Sequence, residues 1–126
     1  MKEPDMSSLQ LQSVYFTKSG HPYLSAQSVA EGLGVTLSEL ANLAGIARNT
    51  LTAKSGARKV DEALSSIVRI LAIVSEMAGG QDRAAIWFKH QPIPGWAGKT
   101  AYDLVLDKKS DKVLAYLEAV KTGVYA

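Results

Sequence analysis

The triplet Gly98-Lys99-Thr100 is the first place where residue types suggest chemistry, because a phosphate-binding loop ends this way and its N–H groups and lysine hold phosphate oxygens. The spacing argues against it. Such a loop needs a glycine five residues before Gly98, where this chain has Ile93, and it must follow a buried strand. Ala84-Ala85-Ile86-Trp87-Phe88 instead follows the Gly79-Gly80 break and reads as helix. Other catalytic sets are thin. The chain has no cysteine, which removes disulfides, thiolate metal sites and cysteine nucleophiles together. His21 and His90 stand far apart, without metal-ligand spacing. Acids such as Glu31, Glu39, Asp61 and Glu62 fall where helix ends or solvated faces are expected. The expectation is a protein that is not an enzyme, with no catalytic residue, metal site or cofactor.

The remaining chemistry is electrostatic. Between Glu39 and Asp61 there is no acid, while Arg48, Lys54, Arg58 and Lys59 cluster on a chain whose net charge is only +2. This is the footprint expected of a small nucleic-acid reader, although a solvated basic face gives the same pattern. Read as a helix-turn-helix, LSELANLAGIARNTLTAKSG from Leu37 puts Ala41 where two helices cross closely and Gly45 at the tight turn. Leu40, Ala44, Ile46 and Leu51 then take the buried positions. The outward positions are Arg48, Asn49, Thr50, Thr52 and Ala53, from which Arg can grip guanine bidentately and Asn adenine. Lys54, Arg58 and Lys59 suit phosphates. Two residues depart from the motif: Lys54 stands where an apolar plug is usual, and Ala47 replaces a capping Ser or Thr, forgoing roughly 1 kcal/mol. The second helix is therefore expected to be short or frayed.

The elements that must position these residues read as an all-α fold. At 126 residues, with 47% hydrophobic and 21% charged, the chain has the size and balance of one globular domain or two small lobes sharing a core. No apolar run reaches the roughly 18 residues of a membrane span, and the start lacks a signal-like stretch, so a cytoplasmic protein with no membrane contact is expected. Residues 1–24 read as a partly disordered arm, within which Val14-Tyr15-Phe16-Thr17 suits either a short strand or a packing arm. Helices are expected over Ala26 to Gly32, Thr36 to Ala44, Arg48 to Lys54 and Val60 to Ala78. Thr36-Leu37-Ser38-Glu39 is a capping box and Thr100-Ala101-Tyr102-Asp103 resembles another, while Ser110-Asp111 can begin a last helix ending near Gly123. On the long helix, Leu64, Ile67, Val68, Ile70, Leu71, Ile73, Val74 and Met77 cover more than one stripe. Such a surface forms the centre of a domain or is completed by a second copy, and a homodimer is expected.

Following that helix, RAAIWFKHQPIPGWAGKTAYDLVL carries a more specific pattern. It comprises Ala84-Ala85-Ile86-Trp87, then Gln91-Pro92-Ile93-Pro94, then Gly98-Lys99-Thr100-Ala101-Tyr102-Asp103-Leu104, and an ending Thr122-Gly123-Val124-Tyr125-Ala126. With the helix-turn-helix, this resembles the antitoxins of the Xre/MbcA/ParS family that partner RES-domain toxins, over roughly residues 25–126. The chain differs from the family pattern in Ala101 for a proline, Trp96 for a leucine, and no glycine between Asp107 and Asp111. The resemblance implies an Xre-like helix-turn-helix region over 25–60, a long core or dimerisation helix over 61–79, and a small helical toxin-binding domain over 80–126. It further implies an antitoxin that sterically blocks an NAD-consuming RES-domain toxin and represses its own operon by binding operator DNA. Trp96, Lys99, Tyr116, Lys121, Val124, Tyr125 and Ala126 are the expected toxin contacts. Trp87 and Phe88 read as core, Trp96 as either core or an interface anchor, and the apolar end as a segment that wants a partner. A stand-alone helix-turn-helix repressor with a carboxy-terminal dimerisation half, and an adaptor with a degenerate DNA-binding fold, fit the same residues.

Overall fold

A computed structural model describes residues 24–53 and 57–123. Within them the fold is all-α, with seven helices: α1 (Ala26–Leu33), α2 (Leu37–Ala44), α3 (Arg48–Thr52), α4 (Ala57–Ala78), α5 (Gln81–His90), α6 (Ala101–Leu106) and α7 (Ser110–Lys121). Their ends follow local chemistry. Ser25 Oγ accepts from the Ser28 N–H to start α1, and Gly34, at φ 74°, ends it. Thr36 Oγ1 accepts from the Glu39 N–H at 3.0 Å while Glu39 accepts from the Thr36 N–H at 2.9 Å, completing the expected capping box of α2. The same reciprocal pair, Thr100 and Asp103, starts α6. Gly98-Lys99-Thr100 is thus a turn and a helix cap.

Two boundaries differ from the sequence expectation. The long helix already includes Ala57, Arg58 and Lys59, the three residues before Val60, all good helix formers with no breaker among them. The second helix of the hairpin stops at Thr52 instead of Lys54, and Ala47 supplies no side-chain cap to its start. With only five residues and one uncapped end, α3 depends on packing for its order.

Helix α4 is the spine, packed against α1, α2, α3, α5 and α7, while α6 bridges α2, α5 and α7. One continuous core results. It runs from Val29 and Leu33 through Leu40, Leu64, Ile67, Ile70 and Leu71 to Phe88, Ile93, Leu104 and Leu117. The described residues of the segments 25–60, 61–79 and 80–126 therefore bury their apolar faces against one another. Along α4, the residues from Leu64 to Val74 expected to be apolar cover are buried, but Met77 is not: it stays 47% exposed. The broad stripe thus serves the centre of the domain, and Met77 lies beside Trp87, Tyr116 and Val120 at the rim of a shallow groove.

The connection 91–100 is irregular in outline but fully tied. Ile93, 2% exposed, donates its N–H to the Lys99 carbonyl at 2.8 Å, and Pro92 and Thr100 form an isolated antiparallel bridge. Trp96 donates to the Ile93 carbonyl, and Lys99 to that of Trp96. The loop is a closed purse with Ile93 plugged into the core. No single helix among the described residues is long and apolar enough to cross a membrane.

Candidate nucleic-acid interface and partner surface

The α2–α3 pair is built from small and apolar residues at fixed places. Ala41 is buried where the helices approach, Leu40 and Leu51 are buried beneath them, and Ala44 and Ile46 are half-buried. Gly45, at φ 71°, turns the chain, and the Ile46 N–H returns to the Ala41 carbonyl at 3.1 Å. Only a residue without a β-carbon takes that conformation freely. Beyond the turn, Arg48, Asn49, Thr52 and Ala53 are exposed.

Thr50 differs from its outward assignment. It is half-buried, because a helix resting on Leu51 tilts its neighbour partly inward. Thr52 is exposed, but its hydroxyl donates to the Arg48 and Asn49 carbonyls at 3.4 Å each. The Arg48 and Asn49 side chains thus reach outward with no hydrogen-bond partner among the described residues. Arg58 and Lys59 are exposed at the start of α4, and Lys54 lies outside the described residues. Asp61, the first acid after the cluster, accepts the Leu24 N–H at 2.9 Å.

On the carboxy-terminal half, two expected contact residues are engaged internally. Lys99 Nζ lies 2.9 Å from Asp107 Oδ2, an ion pair between two half-exposed side chains. The hydrogen bond to Asp107 raises the Lys99 pKa, and the same bond holds the Asp107 carboxyl below its ordinary range. Trp96 is half-buried against the core, with Lys109 Nζ 5.5 Å from its ring centroid. These ties fix the 91–100 loop to the α6–α7 turn. Lys99 nevertheless stays exposed, and Trp96 half-buried.

Tyr116, half-buried on α7, instead lines a shallow apolar groove of about 160 Å³ with Val74, Met77, Ala78, Trp87, Leu117 and Val120. Trp87 was expected in the core but is half-buried, whereas Phe88 is fully enclosed and meets Tyr102 edge-to-face at 6.2 Å. Ala84, Ala85 and Phe88 set the inner face of α5, and Trp87 falls at its edge. That periodicity was the available signal for the groove. Lys121 is exposed near the end of α7, and Val124, Tyr125 and Ala126 lie outside the described residues. No protein-family model, curated protein or solved structure matches the chain.

Proposed function

We propose that this chain is an antitoxin with two working surfaces, one for operator DNA and one for a RES-domain toxin. The observation that carries the first surface is the exposed pair Arg48 and Asn49, standing on a turn at Gly45 and followed by exposed Arg58 and Lys59 with no acid between. In this setting Arg offers two donors to guanine O6 and N7, Asn offers a donor and an acceptor to adenine N7 and N6, and the two α4 cations offer charge to phosphates. A short, uncapped α3 suits a reader that gains order when its groove contacts form. Two such readers related by a two-fold would match a palindromic operator, which favours a homodimer.

For the second surface, the support is the resemblance of the segment 84–126 together with the groove of Met77, Trp87, Tyr116 and Val120. An exposed methionine beside two half-buried aromatics offers adaptable apolar area to a protein partner. Neutralisation is steric: the antitoxin occupies the mouth of the toxin's site and excludes NAD. The core shared by all segments equally suits a stand-alone repressor, so the decisive experiment is on the partner. The product of the adjacent open reading frame is expressed with and without this chain, following growth, cellular NAD and co-purification. Growth arrest with NAD loss, reversed by this chain in a complex that co-purifies, is the expected result. A harmless neighbour that does not bind moves the assignment to the stand-alone repressor.

A further inference from the structure

Asp107-Lys108-Lys109 form the turn between α6 and α7, and the fold uses only two of the three side chains. Asp107 pairs with Lys99, and Lys109 sits over Trp96. The ammonium of Lys108 has no ion pair or hydrogen bond among the described residues. Its backbone nevertheless stands at φ 61°, the left-handed region that a β-carbon disfavours. The turn itself needs this conformation, because the Lys109 N–H reaches back to the Leu104 carbonyl at 2.8 Å and the Lys108 N–H to that of Val105 at 3.0 Å. Glycine would close the same turn without strain. The lysine side chain therefore adds nothing to folding that glycine lacks.

What Lys108 does have is a position. With Asn42, Ala44 and Gly45 at the end of α2, and Ala63 and Ser66 on α4, it lines an open groove of about 360 Å³. Gly45 is three residues from Arg48, and Ala63 is one helical turn from Lys59. The apolar groove of Met77 and Trp87 lies further along α4, towards its other end. We propose that Lys108 belongs to the DNA-binding face of α3 and α4 and holds a backbone phosphate of the duplex beside the α2–α3 turn. This inference rests on the DNA-binding reading above. A flexible stem carrying a compact cation suits a phosphate, which asks for charge and not for planar geometry. The carboxy-terminal half would then contribute to DNA affinity as well as to the toxin surface.

The test is Lys108→Gly, with Lys108→Arg beside it, in the full chain. Binding is measured against a duplex of the DNA immediately upstream of the chain's coding sequence, and against a random-sequence duplex, across a salt series. Lys108→Gly is expected to melt no lower than the wild type, so that a binding loss cannot come from unfolding. It should bind both duplexes roughly 3- to 10-fold more weakly at low salt, and its log–log salt slope should fall by about 0.9, one phosphate contact. Lys108→Arg should keep the wild-type slope. If the wild type binds and Lys108→Gly matches it in affinity and slope, the Lys108 assignment is overturned and the DNA reading stands. If Lys108→Gly weakens only the complex with a protein partner, the residue belongs to that surface and the assignment likewise falls. A wild type that binds neither duplex overturns the DNA reading itself, and the Lys108 contact with it.

Discussion

Lys99 and Asp107 meet at 2.9 Å and tie the end of the 91–100 loop to the last turn of α6, so a lysine in a nucleotide-like triplet works as a structural clasp. The pair has a definite pH signature. The Asp107 carboxyl is held below its ordinary range by Lys99, so its contribution is present above the unfolded carboxylate pKa and lost as pH falls through the lower folded value. For Lys99 the sign is reversed: its raised pKa gives a contribution present below the ordinary lysine range and lost as pH rises through the folded value. Carboxyl chemical shifts followed through an acid titration should place Asp107 low in the wild type. In Lys99→Met the midpoint should return to the ordinary aspartate range, with little change in melting at neutral pH because exposed pairs contribute little. An unmoved midpoint would mean the clasp is not populated in solution.

Phe88 and Trp87 are neighbours with opposite fates, and substitution should separate them. Phe88 is wholly enclosed and adds an edge-to-face contact with Tyr102, so Phe88→Ala should cost about 3–5 kcal/mol in denaturant unfolding. Trp87, at the rim of the apolar groove, should cost less on truncation to alanine while weakening a protein complex more. Equal stability losses for the two variants would place Trp87 in the core after all.

Helix starts were legible because their chemistry is local. Thr36 with Glu39, and Thr100 with Asp103, announce themselves at fixed spacing, and the two boxes form as read. The apolar run from Leu64 to Val74 likewise implied a central helix. What the sequence concealed depends on residues distant along the chain. Lys99 finds Asp107 only because the loop closes over Ile93, and Trp96 meets Lys109 for the same reason. Met77 has the periodicity of its buried neighbours, but periodicity marks a face without saying how tightly the facing helices close over it, and here they leave a groove. The half-buried state of Thr50 reflects the tilt of a five-residue helix, which no pattern of that length can fix.

Capping offers a direct measure of how marginal α3 is. Thr36→Ala and Thr100→Ala should each cost about 1 kcal/mol, since each removes an oxygen that accepts a first-turn N–H. Ala47→Ser should act in the opposite direction, adding the cap that α3 lacks, with a gain of about 0.5–1 kcal/mol. Amide hydrogen exchange over residues 48–52 is the appropriate readout, because the benefit is confined to one short helix. Unchanged exchange in Ala47→Ser would show that α3 is already held by Leu51 alone.

The proposed DNA surface implies two distinct kinds of loss. If the exposed Arg48 and Asn49 read base edges as proposed, Arg48→Ala and Asn49→Ala should each cost about 1–3 kcal/mol on the preferred duplex and much less on random sequence. Specificity falls with affinity. Arg58→Ala and Lys59→Ala should weaken both duplexes alike, and each should reduce the salt slope by about 1, because a phosphate contact carries no sequence information. The two classes are separated by measuring both duplexes at several salt concentrations with each variant. If all four substitutions behaved as phosphate contacts, the α2–α3 pair would be a basic face without a reading helix, and operator recognition would have to come from another element.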